Sequence, residues 1–370
     1  MKSNSWLLLA ALAAPVACDS GGGDGDTDGG SSTSTTTAST TASTTESPTT
    51  STTPGSSTTD AATTEADGSS SGEPGTGSST GEPGTGSTST GEAIQEVSLQ
   101  FAARVGDAEA NCTDTYDAVG SGDDSAVFRD IRFYVSNVRL VNEDGDDVPV
   151  ELTQDGVWQY EDVALLDFED GSGACMASGD AGLNTVVVGE VPADTYTGVR
   201  FDLGVPAELN HSDANTAEPP LNVLAMSWPW LVGRKFVRID LSVDTGAVDR
   251  GGNPVFNAWN THLGSQGCSN DGAGGMMPPT MECARPQRPA IALDGFDPEA
   301  GTIVADIGAL LADNDVSMNM AGAPGCQSFF DTMGQDEDVD CVELFPNYGL
   351  SWDSGDCMND CEDQSFFSVE

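Results

Sequence analysis

The chain has 370 residues, with 60 Asp and Glu against 12 Lys and Arg and a formal charge of −48. So large an acidic excess excludes nucleic acid and anionic membrane surfaces as natural partners, because like charges repel throughout the approach. No nucleophile elbow, P-loop, zincin helix or dinucleotide fingerprint is present, so the commonest hydrolase, nucleotidase, metalloprotease and dehydrogenase classes have no foothold.

Residues 1–18 read as an export signal. Lys2 precedes an apolar run from Trp6 to Ala14, which ends at Pro15, Val16, Ala17 and Cys18. The run is too short to span a bilayer and closes on small residues, as a removed signal does. Cys18, followed by Asp19 and a polar tract, is the expected lipidation site of a bacterial lipoprotein, periplasmic or displayed on the outer surface. Cleavage by the ordinary signal peptidase is the alternative and would release a soluble protein.

Residues 19–93 are almost wholly Gly, Ser, Thr, Asp, Ala and Pro, and Ser71 to Gly77 nearly recurs as Thr80 to Gly86. Too little apolar surface exists there to offset ordering entropy, so a disordered tether is expected. A flexible chain of about 75 residues spans on the order of 50 Å, enough to hold a domain off a membrane.

From residue 94 to about 350 the pattern predicts an all-β domain, an antiparallel β-sandwich with long loops. Glu96–Val105 and Ile131–Val141 alternate apolar and polar residues, and the second turns at Glu143-Asp144-Gly145. Further strands are predicted at Thr185–Val188, Tyr196–Leu203, Lys235–Val243, Ala290–Leu293 and Thr302–Asp306. Short helical pieces are predicted at Ile307–Ala312 and Ser328–Thr332. Residues 351–370 read as a cysteine-containing acidic tail.

Eight cysteines remain beyond Cys18: Cys112, Cys175, Cys268, Cys283, Cys326, Cys341, Cys357 and Cys361. An even number in an exported chain reads as four disulfides. Sequence does not fix their pairing. The short loops Cys268/Cys283 and Cys326/Cys341 are natural candidates, with Cys112/Cys175 and Cys357/Cys361 left over. A metal-thiolate cluster is the competing reading, disfavoured because paired CxxC spacing is missing.

Only two histidines occur, His211 and His262. If the domain has one metal site, these imidazoles are its obvious nitrogen ligands; the competing reading is two satisfied structural side chains. Met226, Trp228 and Trp230 lie between them in sequence. A thioether beside imidazoles suits Cu(I) better than zinc or magnesium. An intact indole is no σ-ligand, since its nitrogen lone pair belongs to the ring. A copper oxygenase of the histidine-brace type needs an amino-terminal histidine, and cleavage near Cys18 supplies none.

At this point a family resemblance enters. The segments Phe128–Leu140, Trp158–Gln159, Val163–Glu169, Val199–Pro206, Leu209–His211, Pro220–Asn222, Met226–Trp230, Lys235–Asp240 and His262–Cys268 occur in order. Together they resemble the MbnP family, the copper-binding proteins of methanobactin operons and their wider relatives, over about Glu96 to Leu350. The resemblance implies a copper protein encoded beside a dihaem cytochrome of the MauG and cytochrome c peroxidase type, MbnH. That partner oxidises a tryptophan of the copper protein to kynurenine, and copper binding depends on the modification. Ring opening frees an amine and a ketone, turning an inert side chain into a ligand.

Carried over by motif, Cu(I) falls to His211 and His262, with Met226 as a weaker neighbouring ligand. Trp228 or Trp230 matches the oxidised residue, and Trp259 is a third candidate because WxxH brings it close to His262. Two departures stand out: the usual Gly-Tyr-Lys-Phe is Gly233-Arg234-Lys235-Phe236 here, and Cys357 and Cys361 lie beyond the family's usual end. The expected function is therefore extracytoplasmic copper storage, scavenging or delivery, by a substrate of a partner enzyme rather than by an enzyme. The alternatives are a disulfide-braced surface or interaction lipoprotein without metal, and a copper-dependent oxidase.

Overall fold

A computed structural model describes residues 93–370, apart from 178, 180, 230, 245, 250–251, 255–257, 273–276, 321–323 and 331–337. The export signal, Cys18 and the tether therefore lie outside the described residues, as does Trp230. No described helix is long and apolar enough to cross a membrane.

The predicted sandwich is present. Its longest strand, Asp124–Asn142, is the spine of a ten-stranded sheet ordered Ala290–Asp294, Tyr196–Leu203, Asp124–Asn142, Val237–Val243, Trp259–Leu263, Gly325–Cys326 along its main path. A six-stranded sheet packs against it, ordered Phe367–Val369, Thr302–Asp306, Ile94–Val105, Val186–Pro192, Glu151–Leu152. Side chains alternate across each strand, so every second residue faces the space between the sheets. Phe101 of one sheet meets Phe133 and Phe201 of the other edge-on, with centroids 6.3 and 5.9 Å apart.

Most strand expectations hold within a residue or two, and Tyr196–Leu203 and Thr302–Asp306 hold at both ends. The helix at Ile307–Leu311 is present, its Asp306 carboxylate accepting from the Ala309 backbone N–H. The other helical expectation fails where it can be seen, since 328–330 are not helical. There the Asp338 carboxylate accepts from the backbone N–H groups of Gln327 and Phe329 and holds the segment in a non-helical loop.

The segment 351–370, set apart as a tail by its acidity, is woven into the sandwich. Phe367–Val369 pairs antiparallel with Thr302–Asp306. Phe366 and Phe367 are buried against Phe133, with centroids 5.9 and 5.6 Å away. Two aromatic rings entering a core outweigh the charges flanking them.

All four disulfides form between the pairs expected: Cys112–Cys175, Cys268–Cys283, Cys326–Cys341 and Cys357–Cys361. They fit an oxidising, extracytoplasmic compartment.

Candidate metal centre

The outer face of the ten-stranded sheet carries charge where a solvated face would be expected, and it is buried. In register across the sheet, Asp130 faces Asp240, Arg132 faces Arg238, and Arg238 in turn faces His262. These residues point away from the inter-sheet core, because their neighbours Ile131, Ile239 and Thr261 occupy it. Loops cover them, and ion pairs compensate the loss of water. Arg132 donates to Asp130 through Nε at 2.8 Å and Nη2 at 2.5 Å, and its Nη1 lies 3.3 Å from Glu169. Arg238 links Asp130, at 3.1 Å, to Asp240, at 2.9 Å.

The chain of charges ends at His262, whose Nε2 lies 2.7 Å from Asp240 Oδ1. Burial disfavours imidazolium and pushes the His262 pKa down, although Asp240 opposes the shift. Burial also works against the Asp240 carboxylate, but the hydrogen bond and charge of its histidine partner, together with Arg238, hold its pKa well below the usual range. With the arginine supporting the carboxylate, the stable pair is Asp240 ionised and His262 neutral, its Nε2–H donating. Nδ1 then carries the lone pair. That atom is buried and has no hydrogen-bond partner among the described residues. A basic nitrogen desolvated in this way fits a metal ligand set by an outer carboxylate.

His211 follows the single-turn helix Ala207–Asn210, as its C-terminal cap. The Asn210 side chain organises this corner. Its Nδ2 lies 3.2 Å from His211 Nε2 and 3.4 Å from Ser265 Oγ, while its Oδ1 accepts from the Arg234 backbone N–H at 2.7 Å. Ser265 is three residues after His262, so one asparagine ties the two histidine segments together. Gly233 is required there: at φ +85° a Cβ would sit 2.6 Å from Asn210 Oδ1.

Arg234, where the motif resemblance leads to the expectation of a tyrosine, is almost wholly buried. Nη1 donates to the carbonyls of Asn210 and Ser212 at 2.7 and 2.6 Å, on both sides of His211. Nε and Nη2 reach the Leu221 carbonyl, and Nη2 also the Ser212 hydroxyl. A tyrosine carries one hydroxyl and could not make this five-bonded clamp.

Trp228 is half-buried and meets the His262 ring edge-on at 6.1 Å. Its indole also lies over Gly264, where a Cβ would come within 2.3 Å of Cζ3. Lys235 Nζ sits 5.9 Å from the Trp228 ring and donates to the Ala225 carbonyl at 3.0 Å. Burial lowers the Lys235 pKa to about 8. Met226 ends a short 3₁₀ turn, Leu224–Met226, with its side chain fully buried in the core and its carbonyl accepting from the Lys235 N–H.

Trp259 is placed otherwise. On the strand Trp259–Leu263 it stands three residues from His262, an odd separation that puts the two on opposite faces. Its ring is fully buried in the inter-sheet core, pairing in register with Leu241. The WxxH spacing, close on a helix, separates the two side chains on a strand.

Asp240, Arg238, Asn210 and Ser265 are not singled out by the sequence, and Arg234 is marked only as a departure from the family motif. Arg238 and Asp240 alternate with apolar residues on their strand as a solvated face would, so the sequence alone does not mark them. Nothing local marks Asn210, because its side-chain partners beyond the adjacent His211 are 24 and 55 residues away.

The MbnP family model matches residues 94–328. Among solved structures, MbnP from Methylosinus trichosporium is similar to this chain, with 32% identity and a TM-score of 0.64. The match covers 75% of this chain and 98% of that one. No curated protein matches the chain.

Proposed function

This chain belongs to the MbnP family, and on that premise we propose that it is an extracytoplasmic copper-binding protein whose Cu(I) ligands are His211, His262 and a kynurenine made from Trp228. The observation that carries the reading is His262 Nδ1, a buried imidazole nitrogen without a hydrogen-bond partner among the described residues, behind which Asp240 fixes the tautomer. Without a metal, such a nitrogen is an uncompensated cost to the fold.

His211 is the second imidazole, on a loop held by Arg234 and tied to the His262 segment through Asn210. Trp228 is preferred among the tryptophans because it meets His262 and is half-buried, whereas Trp259 is enclosed on the opposite face. The described residues do not include Trp230, so it remains a candidate. Met226 is proposed as a weaker thioether neighbour. Two imidazoles alone leave Cu(I) exchangeable, so a ligand that exists only after ring opening makes loading conditional on the oxidising partner. That partner is proposed to be a dihaem cytochrome of the MbnH and MauG type. The reading is of a binding protein that stores, scavenges or delivers copper, held at the cell envelope by lipid on Cys18.

Co-expression with and without the dihaem cytochrome, followed by intact mass and metal analysis, tests the proposal. Co-expressed protein should lose one carbon and gain one oxygen, and retain one copper per chain. Equal copper retention by unmodified protein would overturn the kynurenine ligand, and none in either form would favour a metal-free interaction protein.

A further inference from the structure

We propose that Cys268 and Cys283 are a reducible pair whose thiolates, once freed, join His211 in a second site for a soft metal ion. The ligand atoms of these three residues all lie within 4.8 Å of one another, and His211 Nε2 is 3.4 Å from Cys283 Sγ. In the folded, oxidised protein the sulfurs are bonded to each other and offer no thiolate. Reduction, with side-chain rotation that parts the two sulfurs, turns the same residues into a two-sulfur, one-nitrogen set suited to Cu(I) or to a group 12 cation.

The other disulfides lack this combination. Cys326–Cys341 is buried on both sides. Cys112–Cys175 has Glu169 within reach, but all three are buried and that carboxylate already faces Arg132 at 3.3 Å. Cys357–Cys361 is in neither of the described ligand groups. Cys268, by contrast, is only half-buried, between exposed Gly267 and Ser269, while Cys283 and His211 are buried behind it.

The reductant is a dithiol. Its thiolate attacks the sulfur of Cys268, the less buried residue of the pair, and bonds to it; the Cys268–Cys283 bond breaks, and its electron pair leaves on Cys283. The second thiolate of the reductant then displaces Cys268, and the reductant departs as a disulfide. Two electrons have passed to the protein, whose two sulfurs take up protons or a cation. The site shares His211 with the copper reading but does not rest on it, because it needs neither His262 nor a modified tryptophan.

The test uses full-length protein made without any oxidising partner. After reduction with dithiothreitol and anaerobic desalting, Cd²⁺ should bind at one ion per chain, with an ultraviolet sulfur-to-metal charge-transfer band that unreduced protein does not show. His211→Ala and Cys268→Ser should each weaken binding at least tenfold. Should those variants fold poorly, the wild-type chain supplies an independent measurement: Cd²⁺ should protect Cys268 and Cys283 from iodoacetamide. No Cd²⁺ bound after reduction, unchanged affinity in a folded His211→Ala, or protection confined to Cys357 and Cys361 would each overturn the proposal. Copper retention by oxidised, co-expressed protein is a separate measurement, so failure of this site leaves that reading standing.

Discussion

Asp240 and His262 are cross-strand neighbours on the buried outer face of the ten-stranded sheet, and their 2.7 Å contact gives the imidazole one committed nitrogen and one open to a ligand. Arg238, bonded to the same carboxylate, keeps it ionised. Asp240→Asn retains an oxygen to accept from Nε2–H but removes the charge that raises the basicity of Nδ1. Copper affinity in the modified protein should fall about 10- to 100-fold, as read by competition with a chromophoric Cu(I) chelator. An unchanged affinity would detach Asp240 from the site.

Arg234 makes a different kind of contribution, holding the backbone on either side of His211. Replacing it with Met fills similar volume but leaves the carbonyls of Asn210, Ser212 and Leu221 without their donor, at a cost of about 3 kcal/mol. For a domain of this size that is a fall in Tm of roughly 6–12 °C. Arg234→Lys should recover only part of the loss, since an ammonium cannot reproduce the fork. Calorimetry of the two variants checks the order.

The sheet pattern was legible in the sequence because apolar alternation encodes which face of a strand is buried, as in Tyr196–Leu203. The second buried face was not, because Asp130, Arg132, Arg238 and Asp240 obey the same alternation a solvated face would. Only their cross-strand register and the loops above them show that they are paired and covered. His211 and His262 stood out through scarcity, which needs no structure. Trp259 misled because three-residue spacing means proximity on a helix and separation on a strand. The Phe366–Phe367 pair was lost among the acidic residues of 351–370.

Removal of those terminal aromatics should therefore cost as much as a core substitution. Phe367→Ala takes away a ring packed edge-on to Phe133 and Phe201, at 5.6 and 5.1 Å, and should destabilise by about 3–5 kcal/mol. Denaturant unfolding measures this. A loss below about 1 kcal/mol would mean that the segment is dispensable, as a tail would be.

Asp167 gives a descending limb of the stability–pH profile below about pH 8. Burial raises its pKa to about 8, with Arg132 opposing the shift. For a group whose folded pKa lies above its unfolded value, the associated stability is complete below the unfolded pKa and is lost as pH rises through the folded one. Tm should thus decline progressively as pH rises from about 4 to about 8 and level off above that, and Asp167→Asn should flatten this decline. His262 has the opposite sign: its folded pKa is lowered, so its contribution is present above the unfolded value and is lost as pH falls below the usual histidine range.

The choice among tryptophans is decided by mass spectrometry of variants co-expressed with the dihaem cytochrome. Trp228 has its ring edge against His262, and Gly264 leaves room for it, so a ring-opened product there would form within reach of the imidazole. Trp259 has Leu241 beside it in register and the inter-sheet core around it, and an amine formed there would face no histidine. Trp228→Phe should abolish both the mass change and copper retention while leaving the fold intact, since the site is half-buried and phenylalanine keeps the aromatic contact with Phe329. Trp259→Phe should lower Tm by removing a fully buried indole, yet leave the modification in place. A mass change that survives in Trp228→Phe and disappears in Trp230→Phe would move the ligand by two residues and keep the rest of the site. One that disappears only in Trp259→Phe would place the modified residue in the core and sink the proposed coordination.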